Sequence, residues 1–448
     1  MRKLVRVTLM LLVTGAGTAL PFAAPAAGQA PASGTTVLKA ARVFTSTSER
    51  PLAPGMVVVE GDHIAQVGQN LAVPPGAQVI DLGDATLLPG FIDAHVHLAM
   101  EMSDDWYRDF YQTAFRFPAE QALYAAKYAR VTLEAGFTTV RDVGSDEYIS
   151  LGLRNAINAG IAVGPRMLIA NHGIGSTGGH ADAPPFPPER IKPAGTLEGV
   201  CNGPAQCREA VRFQIKFGAD VIKCMPSGGV LSLSDPVDVP ELTREEMDAI
   251  VSEAHAWHRK VAAHCHGDEA AKIAIAAGVD SIEHGSFLKD DTLRLMKEKG
   301  VYLVPTLFAG FWVGEKADHF PPAIAVKARA AAAQMQAMFQ RAMKIGVKVA
   351  FGTDSAVEPH GLDAREFALM VKNGMTPAQA LISATASGAD LLGLADKIGT
   401  LEKGKLADLV AVPGDPLQDI RQTEKVSFVM QGGKVFKNQA TSEQTLTP

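Results

Sequence analysis

The sequence predicts an α/β protein: a (β/α)8 (TIM) barrel with a small β-sandwich domain assembled from both chain ends. Two observations predict the barrel. Helical patterns lie between most of the apolar, strand-like runs in the middle of the chain, which is the alternation typical of a (β/α)8 barrel. There are eight such runs, at 91–97, 138–143, 166–171, 220–225, 261–265, 281–284, 301–307 and 348–353.

The two chain ends share a different pattern, which predicts the sandwich. Short β-branched runs fill residues 36–87, and similar runs recur between residues 407 and 436. We therefore predict a β-sandwich built from 36–87 and 395–438, enclosing a barrel at 88–394. Residues 439–448 are predicted to be a disordered tail.

The amino-terminal residues 1–30 predict a secretory signal peptide. Arg2, Lys3 and Arg6 precede a mostly apolar run, and small residues follow from Ala23 to Ala30. We therefore expect an exported protein, periplasmic or secreted, with no membrane attachment after cleavage. The formal net charge of −6 gives no indication of a nucleic-acid-binding surface.

Four cysteines follow the signal region. Cys201 and Cys207 lie close together in a loop-like segment, where in an exported protein they could form a disulfide or remain free thiols. Cys224 and Cys265 each neighbour a candidate ligand on a strand, so they are expected to face away from it and pack as small apolar residues.

The first chemical signal is the pair His95 and His97, at the end of the first barrel run. Alternate side chains of a strand point to the same face, so the two imidazoles can bind one divalent metal ion. Four more ligand-type residues lie at the ends of later runs, and in a barrel these ends meet at one face, where active sites are found. They are Lys223, His264, His284 and Asp354.

Lys223 is the most informative of these residues, because a lysine inside an apolar run is costly unless it is paired or chemically altered. Desolvation lowers the pKa of an amine and makes its neutral form available. A neutral amine can take up carbon dioxide, and the resulting carbamate can bridge two cations as a carboxylate does. The alternative is a lysine whose ammonium reaches solvent at a strand edge.

The flanking motifs carry a family resemblance that covers nearly everything after residue 36. The set His95-Val96-His97, Lys223, His264, His284 and Asp354 resembles the amidohydrolase superfamily. The segments 88–97, 176–180, 282–285, 352–354 and 404–409 look like its imidazolonepropionase-like, Xaa-Pro-dipeptidase-like branch. That branch includes exported metallo-dipeptidases and carboxypeptidases, and amidohydrolases that cleave the phenylalanine amide of ochratoxin A.

The resemblance implies a site with two divalent metal ions, for which zinc is the default. His95, His97 and Asp354 would hold one ion, and His264 and His284 the other. Carboxylated Lys223 and a hydroxide would bridge the two ions.

The same resemblance implies a mechanism of amide hydrolysis. The bridging hydroxide would attack the amide bond to a C-terminal amino acid, with Asp354 as proton shuttle. His180, after the third strand, is the candidate donor to the oxyanion.

Alternatives remain open at this point. His266 lies on the same face as His264 and could be the fifth-strand ligand instead. The backbone amides of 227–229 could bind a substrate carboxylate or form a plain turn, and aromatic residues near 106–111 and 308–312 could form a substrate wall or pack in the core.

Alternative functions are a one-metal cyclic-amide hydrolase or deaminase like imidazolonepropionase, and a non-catalytic periplasmic binding protein. The expected partner is a small amide or peptide substrate. The protein itself is expected to form a homo-oligomer.

Overall fold

The computed structural model describes residues 34–439 except 104, 183, 188 and 191. The predicted signal peptide, and the predicted tail beyond residue 439, lie outside this range. The strands of the described chain are, in order, β1 (Thr35–Ala40), β2 (Arg42–Val43), β3 (Gly55–Glu60), β4 (His63–Gly68), β5 (Gln78–Asp81), β6 (Ala85–Pro89), β7 (Phe91–Val96), β8 (Phe137–Asp142), β9 (Arg166–Ile169), β10 (Val221–Cys224), β11 (Lys260–Cys265), β12 (Ser281–His284), β13 (Tyr302–Val304), β14 (Leu409–Pro413), β15 (Phe428–Gln431) and β16 (Lys434–Asn438).

The α-helices of the same part of the chain follow most barrel strands, as the alternating pattern predicted. They are α1 (Trp106–Phe115), α2 (Pro118–Glu134), α3 (Ile149–Asn158), α4 (Pro204–Lys216), α5 (Arg244–Ala256), α6 (Asp268–Ala277), α7 (Asp290–Lys299), α8 (Leu307–Glu315), α9 (Pro322–Ile345), α10 (Arg365–Lys372), α11 (Pro377–Ser383) and α12 (Ala386–Leu392). Local sequence explains several starts: α2 and α4 begin with a proline, and a capping box between Thr243 and Glu246 opens α5. None of the described helices is both long and apolar enough to span a bilayer.

The barrel is built from β7–β13 and an irregular eighth segment. Strands β7-β8-β9 and β10-β11-β12-β13 form two parallel sheets. Parallel bridges join Ile174 to Cys224, Leu303 to Val349 and Val96 to Ser355, so the ring closes. The prediction of a (β/α)8 barrel is confirmed, although residues 349–355 pair only through isolated bridges.

The β-rich ends form two sheets that share one core. The first sheet has the order β4-β3-β1-β5, and the second, β16-β15-β14-β6-β2, combines strands from both ends of the chain. Leu38, Val57, Leu87, Leu409 and Phe428 are among the buried residues of the common core. Strand β6 pairs antiparallel with β14 and lies across the predicted boundary at 87/88. The domain boundaries themselves stay predictions.

Candidate metal centre

The barrel brings the predicted ligands together because its strands are parallel and end at one face. His95 lies on β7 and His97 directly follows it, Lys223 lies on β10, His264 on β11 and His284 on β12. Asp354 comes from the irregular eighth segment, where its backbone N–H donates to the carbonyl of His95 over 2.8 Å.

One cluster forms around the Nε2 atom of His95. Asp354 Oδ1 lies 3.3 Å from Nε2 of His95 and 3.3 Å from Nε2 of His97. Lys223 Nζ lies 3.4 Å from His95 Nε2. The Nδ1 atoms are already engaged: that of His95 by Glu283 over 2.8 Å, and that of His97 by the carbonyl of Gly144 over 2.8 Å. Both Nε2 atoms are therefore available to one shared cation.

A second cluster contains His264, His266 and His284, whose ligand atoms lie within 4.8 Å of one another. His284 Nδ1 contacts Thr306 Oγ1 at 2.7 Å and His266 Nδ1 contacts Ser286 Oγ at 2.8 Å, which leaves both Nε2 atoms free. His264 is oriented the other way, with Nε2 3.3 Å from the carbonyl of Gly228. Both candidates for the fifth-strand ligand thus reach the cluster.

The two clusters touch, because ligand atoms of His95, His284 and Asp354 also lie within 4.8 Å of one another. His284 and Asp354 both have a backbone φ of 68°, a left-handed conformation that costs free energy for residues other than glycine. Such strain is concentrated at functional sites, and here it occurs at the two residues that join the clusters.

The electrostatics leave His264, His284 and Asp354 in the protonation states that metal binding needs, whereas for His97 burial, which lowers the pKa, is outweighed by Asp354, which raises it. Burial, followed by the charges of neighbouring histidines, holds the pKa of His264 and the pKa of His284 well below the usual range. Burial alone would raise the pKa of Asp354, but His95, His97 and His284 together lower it well below its usual value. Neutral imidazoles and an ionised carboxylate are the donors that a divalent cation prefers.

Lys223 is buried, with 1% of its surface exposed. Burial lowers its pKa to about 8, so about a tenth of the amine is neutral at pH 7, far more than for an exposed lysine. This is the state that can react with carbon dioxide. The donor set therefore fits divalent metal ions, with Lys223 Nζ beside it.

Sequence reasoning missed the residues that orient His95. Glu283 is fully buried beside its neighbour His284, and its Oε1 accepts from Arg141 Nη2 over 2.9 Å and from Ser281 Oγ over 2.5 Å. Its Oε2 contacts His95 Nδ1. Arg141 also donates from Nε to the carbonyl of Ala94 over 2.5 Å. The signal that could have found this pair is a residue of opposite charge on each of two buried strands, Arg141 on β8 and Glu283 on β12.

His180 lies beside the second cluster, with its ring centroid 4.3 Å from that of His264. Its backbone N–H donates to Glu241 Oε2 over 2.9 Å, and its Nδ1 lies 3.1 Å from Ser232 Oγ. Burial lowers the pKa of His180 to about 4, so its imidazole is neutral. The amide of Gly229, once considered for a substrate carboxylate, donates instead to Asp235 Oδ2 over 2.6 Å.

Two cavities adjoin the centre and share His180, Leu231, Asp354 and Val357 in their walls. The inner one is mostly apolar and is lined, besides ligand residues and His180, by Val230, Leu231, Thr306, Ala309, Gly310, Val313, Ala331, Met335 and Val357. The outer one includes Met100, Met102, Trp106, Phe110, Pro184, Leu231 and Leu233.

The aromatic residues considered for a substrate wall divide between these cavities and the surface. Trp106 lines the outer cavity, but Tyr107 and Tyr111 are 61% and 63% exposed. The α8 residues that line the inner cavity are Ala309, Gly310 and Val313, while Phe311 on the same helix is 42% exposed.

The remaining predicted residues are the four cysteines. Cys201 and Cys207 form a disulfide at the start of α4. Cys224 and Cys265 are free and buried, as packing residues would be.

Comparison with known proteins finds related sequences and related solved structures. The model of the amidohydrolase family matches residues 86–436. The ochratoxinase of Aspergillus niger is 33% identical over 411 residues, covering 86% of this chain and 84% of its own. The crystal structure of a Xaa-Pro dipeptidase with bound methionine in the active site has a TM-score of 0.87 at 40% identity, covering 90% of this chain and 100% of the other. The imidazolonepropionase of Cutibacterium acnes is 28% identical over 391 residues, covering 81% and 87%.

Proposed function

The chain belongs to the amidohydrolase family and is a hydrolase of amide bonds, and from that premise we propose a two-metal enzyme that releases an apolar C-terminal amino acid from peptides and N-acyl amino acids. One observation carries the proposal: Lys223 Nζ and Asp354 Oδ1 lie 3.4 Å and 3.3 Å from His95 Nε2, where the two histidine clusters meet. A single cation needs only one of the two groups.

The metal ligands would be His95, His97 and Asp354 on one side and His264 and His284 on the other, with Lys223 between them. The neutral amine of Lys223 attacks carbon dioxide, which forms an N–C bond and releases one proton. The carbamate would then be a further carboxylate-type donor to divalent cations, beside the histidines and Asp354. Divalent cations bound there, zinc by default, would polarise the scissile carbonyl and acidify the attacking water.

The chain's own groups handle the proton and the developing charge. Asp354, held ionised by the surrounding histidines, accepts the proton of the attacking water and delivers it to the leaving nitrogen. His180 donates a hydrogen bond to the carbonyl oxygen as negative charge develops on it, because its ring lies next to that of His264 in the wall of the inner cavity.

The cavities support the choice of substrate. The inner cavity lies against His264 and His284 and is lined mainly by aliphatic groups, so it suits an apolar side chain better than a charged one. The wider outer cavity, with Trp106 and Phe110, suits an aromatic acyl group. One relative is a dipeptidase with methionine in its active site, and another is an ochratoxinase. Ochratoxin A, an aryl amide of phenylalanine, has an apolar side chain for the inner cavity and an aromatic acyl group for the outer one.

Metal counting combined with hydrolysis tests the proposal. Elemental analysis should find two divalent ions per chain, and cleavage of N-acyl-phenylalanine and N-acyl-methionine should stop after chelation and return on adding zinc. N-acyl-aspartate is the matched substrate control and should be cleaved at least about tenfold more slowly.

A Lys223→Ala variant should lose bound metal and activity together, since the bridging group is gone. One ion per chain without cleavage of acyl amino acids would favour a cyclic-amide hydrolase or deaminase. Ligand binding without any metal-dependent hydrolysis would favour a binding protein.

We also propose that the protein is exported, on the amino-terminal signal pattern. The Cys201–Cys207 disulfide supports this proposal, because disulfides persist in oxidising compartments. Amino-terminal sequencing of the mature protein should find a start near residue 27 or 31, and a start at Met1 would contradict export through this signal.

A further inference from the structure

The loop between β10 and α5, residues 225–243, forms one wall of the centre. Its Gly228 carbonyl faces His264 Nε2 at 3.3 Å, and its Ser232 hydroxyl faces His180 Nδ1 at 3.1 Å. A Cβ atom at Gly229 would lie 2.1 Å from the His180 ring, so the loop backbone packs directly against that imidazole. A small movement of this loop would therefore change the position of His180.

Lys327 of α9 holds the loop in place. Its ammonium donates to the carbonyls of Gly229 at 2.7 Å, Ser232 at 2.7 Å and Asp235 at 2.9 Å. An ammonium has three N–H donors, so all three are used by backbone carbonyls of this one loop. Apolar contacts reinforce the arrangement, because Val230 and Val237 pack in one cluster with Ile324 and Ala328 of α9.

The contact with Gly229 also affects which way the Ser232 hydroxyl points. That hydroxyl has one proton, and it lies 3.1 Å from both the carbonyl of Gly229 and Nδ1 of His180 and also interacts with the Asp235 carboxylate. Lys327 supplies a charged, shorter hydrogen bond to the Gly229 carbonyl. A Ser232 proton donated to His180 Nδ1, rather than to Gly229 or Asp235, places the imidazole proton on Nε2.

We propose that Lys327 is a positioning residue that, through Gly229 and Ser232, holds His180 in the Nε2–H tautomer and aims it at the reacting carbonyl. This inference rests on the proposed function, in which His180 donates to the developing oxyanion. Only the Nε2–H tautomer leaves a donor on the side of the ring away from Ser232. Lys327 itself touches neither substrate nor ligand residues in this role.

A cycle of variants tests the inference on the metal-loaded enzyme with N-acyl-phenylalanine. Lys327→Met and Ser232→Ala should each lower kcat by about tenfold, less than the loss of a whole oxyanion donor, and change KM by less than about threefold. Because both act through one relay, the double variant should be no more than about threefold worse than the poorer single variant. Lys344→Met, at the other end of α9, is the matched control and should leave kcat unchanged.

Metal content and Tm, measured alongside, separate this effect from general damage. If Lys327→Met folds poorly, Lys327→Cys alkylated with 2-bromoethylamine restores an ammonium and should recover kcat; Cys224 and Cys265 are buried and should not react. An unchanged kcat in Lys327→Met, or losses that multiply in the double variant, would overturn the inference.

A His180→Ala variant separates failure of this inference from failure of the proposed function. If His180→Ala keeps full kcat, the proposed oxyanion role of His180 is wrong, and so is the positioning role of Lys327 that depends on it. If His180→Ala is impaired while Lys327→Met is not, only the relay is wrong. His180→Gln, whose amide nitrogen can take the place of Nε2, should retain more kcat than His180→Asn, and the opposite order would also contradict the tautomer.

Discussion

Replacing Glu283 by glutamine is expected to weaken the metal centre and the fold together, because one buried carboxylate serves both. Its two oxygens contact His95 at 2.8 Å and Arg141 at 2.9 Å, and neither Glu283 nor Arg141 is more than 1% exposed. Burial by itself would raise the pKa of Glu283, but Arg141 and His95 lower it to about 2, so the group is ionised throughout the physiological range.

The magnitude follows from what Glu283→Gln leaves behind. The glutamine has nearly the same shape, but it carries no charge, so the Arg141 guanidinium stays buried without its counter-charge. Breaking a buried pair in this way costs about 3–5 kcal/mol. If the new amide NH2 faces His95, it also removes the acceptor that orients the imidazole, which lowers metal affinity by about 10–100-fold, or about 1.4–2.8 kcal/mol.

Two measurements check the prediction. Urea unfolding of the metal-free protein should report the cost of the uncompensated Arg141, and competition with a chelator should report the loss of metal affinity. Glu253→Gln is the matched control, since it makes the same chemical change in an ion pair with the exposed Arg212, at 2.7 Å. That pair should contribute no more than about 1 kcal/mol. If Glu283→Gln costs no more than Glu253→Gln and binds metal as tightly as the wild type, the positioning argument for His95 is refuted.

Two further predictions concern the fifth-strand ligand and the pH dependence of stability. His264→Asn should lower the metal content from two ions per chain towards one, whereas His266→Asn should keep both ions, by elemental analysis; the reverse would identify His266 as the ligand. Burial raises the pKa of Glu366 to about 8, while its carboxylate accepts from the backbone N–H groups of Leu307 and Phe308. The folded state therefore holds this proton more tightly than the unfolded state, so the stabilisation is complete below about pH 4.3 and is lost as pH rises towards 8, by up to about 1.4 kcal/mol per pH unit. Urea unfolding between pH 5 and 9 should show a smaller fall for Glu366→Gln than for the wild type or for the exposed-site control Glu298→Gln, and equal slopes would contradict the assignment.

The sequence was sufficient for the features that depend on local periodicity. The alternation of apolar runs and helical patterns predicted the barrel, and the family motifs identified an amide hydrolase; the structure and the relatives confirm both. The two-residue spacing of His95 and His97 placed both on one face because strand side chains alternate. The ligand assignment and the number of metal ions stay predictions, although the barrel brings all the named residues to one place.

Other features could not be read from local sequence. The eighth barrel segment pairs only through isolated bridges, and α8 presents its small residues Ala309 and Gly310, rather than its aromatic ones, to the inner cavity. A Cβ at Gly310 would lie 2.4 Å from Met335 Sδ, so the shape of that cavity depends on how α8 meets α9. Helix periodicity alone does not say which neighbour a helix face will meet.

The sequence by itself determined which residue types end at the active face of the barrel, because strand alternation and parallel order are local rules repeated eight times. Only the tertiary structure decided how those residues are oriented. The contact of His95 with Glu283 joins residues 188 positions apart, and that of Lys327 with Gly229 joins residues 98 positions apart. Such contacts depend on how distant elements pack, and no local pattern encodes which side-chain nitrogen is left free for a metal ion.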